Sequence, residues 1–415
     1  MPKTHSHPRT PKLRFPEFVW EWEEKKVSEI ISKKLTNGVF NDPWKVGRWF
    51  KLINVKDMYS WDCIIEKNLS LVDIEESEFL RNRVVYWDIF FTRSSLVKEW
   101  IAHSNVYLWN GEDVTFDWHV IKMSYDVNKY NPIFLLKLTK TSSVRKQLIK
   151  KGKTTTMTTI WQEEIASTFF SLPSLLEQQK IASFLSSVDE KIESLRNKKE
   201  LLEKYKKWVM QQIFSQKIRF KDKVNFFGEK RERTLGYEKW KDFPKWEESM
   251  LGEICKINKW TQLNWSELTK VWKYLAINWW ISESWFTDLW NREPNTITIS
   301  EWWNSCWYIS FIKTKFWCWW HCYSIDKIQN FISNTFLFHI LKFNQTRIMR
   351  LRVGSWLPNI QKKDIDKFKI SFPSLPEQQK IADFLSGIDE KIEKVGQELE
   401  QAEKWKKGLL QGMFV

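Results

Sequence analysis

The clearest pattern of apolar and polar positions in this chain is a helical stripe that occurs twice. In residues 174–214 and again in residues 374–414, apolar side chains recur at steps of three and four over about five heptads. The stripes comprise Ile181, Phe184, Leu185, Val188, Ile192, Leu195, Leu202, Tyr205, Val209 and Ile213, and then Ile381, Phe384, Leu385, Ile388, Ile392, Val395, Ala402, Trp405, Leu409 and Met413. Because so long an apolar stripe must be covered, we predict two helices, each about 60 Å long, packed as an antiparallel coiled coil.

The two helices belong to a tandem duplication. LPSLLEQQKIASFLSSVDEKIE (172–193) is matched 200 residues later by FPSLPEQQKIADFLSGIDEKIE (372–393), without a gap. The start of each half also matches, as WEEKKVSEI (22–30) and WEESMLGEI (246–254). Ser174 and Ser374 are each followed three residues later by Glu, which is the spacing of a capping box. We therefore expect two related halves with a pseudo-two-fold relation.

The blocks that precede the helices differ from each other and contain short apolar runs typical of strands. The clearest candidates are VVYWDIFFTRSS (84–95), NPIFLLKL (131–138), TITIS (296–300) and YISFIKTKF (308–316). The predicted fold class is α+β, with two mixed α/β domains joined by the two long helices. The predicted boundaries are 1–170 for the first domain, 171–215 for the first helix, 216–239 for a basic linker, 240–370 for the second domain and 371–415 for the second helix.

Polar residues of the helices are repeated as faithfully as the apolar ones. The repeated set that we assign to partner contact is Glu177, Gln178, Gln179, Lys180, Glu377, Gln378, Gln379 and Lys380; Asp189, Glu190 and Lys191 also recur at 389–391. Coiled-coil packing explains the repeated apolar positions but leaves the polar ones unexplained. Two hypotheses remain open, which are contact with two copies of one partner and a duplication too recent to have drifted.

The charge of the chain favours a polyanionic partner. Lys and Arg exceed Asp and Glu by 66 − 51 = 15, and the isoelectric point is about 9.3. Nucleic acid is the first candidate, and a basic protein without such a partner is the alternative. No apolar run is long enough for a membrane span, and residues 1–18 lack the apolar core of a secretory signal. With five scattered cysteines, these features predict a reduced, cytoplasmic protein without membrane contact.

The tryptophan content is abnormal. The chain has 28 Trp and only 12 Gly, whereas about 29 Gly are usual at this length. Several Trp stand in turn-like settings, namely Trp279, Trp280, Trp302, Trp303, Trp307, Trp319 and Trp320, and Trp208 is aligned with Gly408 in the other half. We hypothesise that many of these Trp occupy ancestral glycine positions. The alternative is an aromatic binding face.

The doubled LP-x-L-x-EQ-x-x-IA segment resembles the conserved regions of the specificity subunit of Type I restriction-modification systems. The resemblance extends to WDIFFTRSS, where the family usually has Gly at the position of Trp87, to KKGKTTTMTTIWQEEI (150–165) and to VGSWLPNIQKKDI (353–365). It implies that each variable domain is a target-recognition domain for one half of a bipartite double-stranded DNA sequence. It also implies that the long helices set the distance between the two half-sites. The conserved repeats would dock two methyltransferase subunits, and restriction subunits would complete the complex.

No catalytic motif is evident. The chain lacks a Gly-rich cofactor loop with an Asn/Asp-Pro-Pro motif, a phosphate-binding loop and a paired-carboxylate nuclease motif. We therefore expect a non-catalytic subunit without a cofactor, with S-adenosylmethionine, ATP and Mg on the partner subunits. Cys318, His321 and Cys322 have metal-like spacing but no second ligand pair, so no metal is predicted. The rival functions are a coiled-coil protein adaptor and the specificity region of a self-contained methyltransferase.

Candidate DNA contacts are basic and short polar residues in the variable domains. In the first domain they are Arg93, Lys98, Lys151, Lys153, Thr154 and Thr155; in the second they are Lys313, Lys315, Arg352, Ser355, Asn359 and Gln361. Lys and Arg would contact phosphates, whereas Asn and Gln could read adenine and Arg could read guanine. The alternative for each residue is a solvated surface position.

Overall fold

The chain forms two compact units in a computed structural model. The structure describes residues 10–40, 42, 45–60, 63–220, 244–269, 273–278, 285–301, 308–350 and 360–415. The first unit comprises Met1–Arg196 with Glu398–Val415, and the second comprises Asn197–Gln397. Each unit thus includes part of both long helices, because the boundary between the units falls partway along each helix, after Arg196 in the first and after Gln397 in the second. The predicted domain boundaries, which follow the sequence blocks, stay a prediction.

The first unit is built on a four-stranded antiparallel sheet in the order Thr36–Asn37, Val120–Met123, Ile89–Thr92 and Ser104–Val106. A second sheet has the order Ser70–Val72, Val46–Ile53 and Val114–Phe116, with the last pair parallel. A small sheet joins Lys153–Thr154, Thr158–Thr159 and Ser94–Ser95, and Glu23–Lys26 pairs with Phe169–Leu172. The shorter helices are Val27–Ile30, Glu76–Asn82, Pro132–Thr139, Ser142–Lys151 and Gln162–Ala166, with 3-10 turns at Val55–Tyr59, Glu66–Asn68 and Lys98–Trp100.

The second unit repeats this plan. Its antiparallel sheet has the order Lys256–Lys259, Cys322–Asp326, Thr296–Ser300 and Ile309–Ile312. Its second sheet has the order Leu268–Thr269, Phe286–Thr287, Tyr274–Ile277 and Phe316–Cys318, with the last pair parallel, and Glu247–Met250 pairs with Lys369–Phe372. The shorter helices are Leu251–Ile254, Asn334–Phe343, Gln345–Met349 and Lys362–Asp366, with a 3-10 turn at Trp265–Glu267.

The central strands Ile89–Thr92 and Thr296–Ser300 are buried along their whole length. In the first, Ile89 and Phe91 face the main core, whereas Phe90 packs into a second cluster with Phe116 at a ring distance of 5.4 Å. A strand covered on both faces reads as a continuous apolar run. The strand predictions in 84–95 and 296–300 are therefore confirmed. YISFIKTKF contributes to two strands, which lie in different sheets.

The strand prediction for NPIFLLKL is wrong, because these residues form the helix Pro132–Thr139. The Asn131 side chain accepts a hydrogen bond from the Phe134 amide at 3.0 Å, and Pro132 occupies the first turn, where its missing amide proton costs nothing. All but one of the helix residues are buried. A helix covered on all sides shows no period of 3.6, so its apolar run could not be told from a strand.

The long helices run from Leu175 to Phe214 and from Leu375 to Gly412, inside the predicted bounds. In the first unit, Asp189 pairs with Lys406, Arg196 pairs with Glu403, and the Phe184 ring lies 6.0 Å from Trp405. In the second unit, Lys206 pairs with Asp389. In the first unit these contacts follow an antiparallel order. No helix among the described residues is long and apolar enough to cross a membrane.

Two tryptophans adopt backbone conformations that favour glycine. Trp49 has φ 71° and Trp87 has φ 78°, in the left-handed region that L-residues rarely enter. Trp208 is different, because it lies in the first long helix and an added Cβ at its counterpart Gly408 would meet nothing within 4 Å. Trp319 is buried and Trp320 is exposed, while Trp279, Trp280, Trp302, Trp303 and Trp307 lie outside the described residues.

Candidate nucleic-acid interface

The small sheet of the first unit brings most of its candidate residues together. Strand Ser94–Ser95 directly follows Arg93 and pairs with Thr158–Thr159, which in turn pairs with Lys153–Thr154. The Thr155 amide donates to the Met157 carbonyl at 3.1 Å and closes this hairpin. Residues about 60 positions apart in sequence therefore share one surface, which we call the hairpin face. It comprises Arg93 to Trp100 and Lys153 to Thr159.

Arg93 has the most defined environment on the hairpin face. Its guanidinium carbon lies 4.1 Å from the centre of the Trp161 ring and 5.2 Å from that of Trp118. Its Nε atom is buried without a hydrogen-bond partner, and burial lowers the pKa of the guanidinium. This cation lies against aromatic rings, and its two terminal Nη groups have no acidic partner among the described residues, so they can donate to a ligand.

The lysines differ in availability. Lys151 donates to the Glu164 carbonyl at 3.2 Å and to the hydroxyls of Ser167 and Thr168, so it serves the C-terminal end of a short helix. Its role as a phosphate contact stays a prediction, and in this structure its ammonium group is already occupied by these acceptors. Lys153 lies 3.2 Å from Glu164 Oε1, but 74% of its side chain is exposed. Lys98 is exposed at the start of a 3-10 turn.

The remaining polar candidates of this face and their apolar neighbours are also accessible. Thr154 and Thr155 are exposed, and Thr154 Oγ1 lies 2.9 Å from Thr158 Oγ1. An open cavity of 340 Å³ is lined by Val55, Tyr59, Ser94, Ser95, Leu96, Val97, Trp100 and Met157. Leu96 is 85% exposed, which is unusual for an apolar residue unless something covers it.

In the second unit the candidates are spread more widely. Lys315 Nζ lies 3.7 Å from the centre of the Trp290 ring, and Lys313 Nζ lies 3.9 Å from Glu393. Gln361 is exposed immediately before the helix Lys362–Asp366. Arg352, Ser355 and Asn359 lie outside the described residues. A basic cavity of 460 Å³, missed by the sequence, is lined by Arg347, Arg350, Asp364, Lys367, Phe368 and Lys369.

The position that corresponds to Arg93 in the second unit is Glu301. In the first unit Thr92 lies opposite Val120, and the Arg93 amide donates to the His119 carbonyl. In the second unit Ser300 lies opposite Cys322, and the Glu301 amide donates to the His321 carbonyl. Glu301 is only 4% exposed, and it accepts from the Tyr323 hydroxyl at 2.8 Å and from Trp260 Nε1 at 3.1 Å. The same place in the fold therefore has opposite charge and different accessibility in the two units.

Half of the predicted partner contacts point inward, which corrects that assignment. Glu177, Gln178, Glu377 and Gln378 are at most 4% exposed. Gln178 accepts from the Asn131 amide at 2.9 Å and donates to the Pro173 carbonyl at 2.9 Å. Gln378 repeats this with the Ser333 amide at 2.8 Å and the Pro373 carbonyl at 2.9 Å. These amides were kept in both halves because they satisfy buried backbone groups.

The two buried glutamates each bind an arginine that the sequence analysis missed. Arg14 Nε and Nη2 both donate to Glu177 at 2.8 Å, and Arg219 Nε and Nη2 both donate to Glu377 at 2.7 Å. The glutamate carboxylates therefore do not complete the expected capping boxes. The signal was present in the sequence, since KLRF (12–15) matches KIRF (217–220).

The accessible remainder of the repeated set is small. Gln179, Lys180 and Gln379 are exposed and Lys380 is half-buried. Lys180 pairs with Glu17. Asp189 is bound by Lys137 and Lys406, which together outweigh the effect of burial and lower the pKa of its carboxyl. Among the described residues no group of His, Cys, Asp and Glu could hold a metal ion.

Comparison with known proteins supports the repeated plan. The family model of the Type I restriction modification DNA specificity domain matches residues 21–204 and 244–404. A protein assigned as the MjaX type I restriction enzyme specificity subunit of Methanocaldococcus jannaschii is 24% identical over 405 residues, which cover 94% of this chain and 92% of that protein.

Solved structures show the same fold. The S subunit of a Type-I restriction-modification system from M. genitalium superimposes with a TM-score of 0.66 at 17% identity, covering 98% of this chain and 99% of that one. A second structure, from work on complex assembly of the type I R-M system, gives a TM-score of 0.52 at 14% identity over 94% of this chain and 96% of that one. With the family match over both halves, this chain belongs to the specificity subunits of Type I restriction-modification systems and carries two DNA specificity domains.

Proposed function

We propose that this chain reads a bipartite DNA sequence, with one specificity domain on each half-site. The observation that carries the proposal is the contrast within a duplicated plan. The two units repeat their four-stranded antiparallel sheet and their buried Arg–Glu and Gln contacts, yet the residue after the central strand is Arg93 in one and Glu301 in the other. Two readers of different sequences need a common frame and different side chains at the reading surface.

The long helices are proposed to pack as a continuous antiparallel coiled coil that sets the distance between the half-sites. The antiparallel order of contacts in the first unit supports this arrangement, and the pair Lys206–Asp389 of the second unit is consistent with it. The apolar stripe of each helix, which recurs at heptad spacing, supplies the seam.

Catalysis is proposed to belong to partner subunits. Two methyltransferase subunits would dock on the two halves, and restriction subunits would join the complex through them. S-adenosylmethionine, ATP and Mg would be bound by those partners, and the target base would be flipped into the methyltransferase. On this chain, Gln179, Lys180, Gln379 and Lys380 remain as candidate docking residues, because they are the accessible part of the repeated set.

Methylome sequencing tests the proposal. A host without its own restriction systems would express this chain together with a methyltransferase subunit of the same Type I system. We expect methylated adenines within one split motif whose two halves are separated by a fixed number of unspecified bases. Methylation without this chain would favour a self-sufficient partner. Methylation of a contiguous motif, or complex formation without DNA binding in a gel shift, would overturn the proposal in favour of the adaptor.

A further inference from the structure

We propose that Arg93 reads a guanine base in the half-site of the first domain, rather than contacting a phosphate. This inference rests on the proposed function and assigns it a specificity-determining residue. In the part of the chain that the structure describes, no carboxylate pairs with Arg93, and its Nε is buried without a partner. A guanidinium with no acidic partner among the described residues is suited to an acceptor on a ligand.

The position of Arg93 is fixed by the backbone on both sides. Its amide donates to the His119 carbonyl at 2.8 Å, and its own carbonyl accepts from the Ile160 amide at 2.9 Å. The residue therefore links the buried central strand to the hairpin face. The main chain at Arg93 is therefore fixed, which gives the start of its side chain a defined position and direction.

The two indole rings restrict the guanidinium as well. Trp161 and Trp118 lie within 4.1 and 5.2 Å of its central carbon, and both are partly exposed, at 44% and 40%. Aromatic rings hold a guanidinium without using its N–H donors. The two Nη groups thus stay available in a preset orientation, and a pair of coplanar donors matches the paired N7 and O6 acceptors of guanine in the major groove.

Phosphate contact fits the other cations of this face better. Lys98 and Lys153 are exposed, and a lysine ammonium on a mobile stem acts as a point charge without directional demands. The second domain offers the contrast, since Glu301 at the corresponding position is buried and bound by Tyr323 and Trp260. Of these two corresponding residues, only Arg93 can donate hydrogen bonds to a base. The half-site of the first domain should therefore require a guanine, whereas Glu301 imposes no requirement for guanine on the half-site of the second.

The test uses the complex of the full chain with its methyltransferase subunit. The DNA is a duplex that carries the motif identified by methylome sequencing. Each guanine of the half-site is replaced in turn by 7-deazaguanine, which lacks the N7 acceptor, and the dissociation constant is measured. We expect one replacement to weaken wild-type binding by about 10-fold or more. Arg93→Lys should lose about the same amount on the natural duplex and should lose nothing further on that modified duplex.

The control variants are Lys98→Ala and Lys153→Ala. They should weaken binding to all sequences alike and should keep the full penalty for 7-deazaguanine. The inference is overturned if the first half-site contains no guanine, if no replacement affects the wild-type complex, or if Arg93→Lys retains the penalty. If Arg93→Lys does not fold, the scan of the wild-type complex still decides whether a guanine N7 is read. Trp161→Gly, which removes one ring that holds the guanidinium, then takes the place of Arg93→Lys as the test variant. Failure of the wild-type complex to bind the duplex would instead contradict the proposed function.

Discussion

Each long helix begins with a carboxylate that is buried and neutralised by an arginine from a separate stretch of chain. The pairs Arg14–Glu177 and Arg219–Glu377 share the same two-point geometry, and the following phenylalanines pack alike, as Phe15 on Phe184 at 5.9 Å and Phe220 on Phe384 at 5.7 Å. Removing one partner of a buried pair leaves an uncompensated charge. These arginines therefore fix the segments that precede and follow the helices.

We predict that Arg219→Met destabilises the second unit by about 3–5 kcal/mol, because it leaves Glu377 buried and unpaired. The double change Arg219→Met with Glu377→Leu should recover most of the loss. Urea unfolding followed by tryptophan fluorescence measures both. Lys369→Met is the control, since its pair with Glu248 is more than half exposed and its loss should leave the unfolding midpoint unchanged. An equal effect of the two single changes would contradict the assignment.

The left-handed tryptophans support the hypothesis of ancestral glycine positions at two sites. An L-residue in this region costs roughly 1–2 kcal/mol, whereas glycine enters it freely. Trp49 is 74% exposed, so its side chain gains little from packing. Trp22 is the opposite case, because it is 1% exposed and donates to Glu177 at 3.3 Å.

Trp49→Gly should therefore raise the free energy of unfolding by about 1 kcal/mol, since it relieves the strained backbone. The matched change Trp22→Gly should lower it by about 3–5 kcal/mol through the lost burial. Thermal unfolding of both variants beside the parent chain gives the comparison. Destabilisation by Trp49→Gly would mean that the indole makes a contact worth more than the strain.

At the scale of elements, each long helix contributes side chains to both hydrophobic cores. Leu409, in the second helix, and Met413, just after it, lie in the core of the first unit. Val209 and Ile213 of the first helix lie in the core of the second unit. We therefore predict that the length of the helices sets the spacing between the two DNA half-sites.

Inserting one heptad into each long helix, after Lys199 and after Gly396, should lengthen the gap in the DNA motif by about three base pairs. Seven residues add about 10 Å of helix, a base pair rises about 3.4 Å, and a full heptad keeps the apolar stripe in register. The bases in each half-site should stay the same, as methylome sequencing would show. Seven residues inserted between Gly228 and Glu229 serve as control and should leave the gap unchanged. Altered half-sites would exclude the spacer role.

For the whole molecule, the excess of 15 positive charges predicts strongly salt-dependent DNA binding. Each phosphate neutralised contributes about −0.9 to the slope of log K against log salt concentration. Lys98→Ala and Lys153→Ala should each make the slope shallower by about that amount. Fluorescence anisotropy of the assembled complex over a series of salt concentrations measures it. A slope near zero would show that the excess charge does not serve DNA binding.

The sequence by itself determined the duplication, the two long helices and the buried central strands, because each leaves a period or a repeat along the chain. It also named Arg93 and Lys153 as candidate DNA contacts, and the fold brings these two residues onto one surface. Tertiary structure alone decided that Glu177 and Gln178 face inward, that residues 132–139 form a helix, and that two indoles flank Arg93. The physical reason is that a hydrogen-bond partner or a covering surface comes from distant segments, whose approach leaves no local pattern in the sequence.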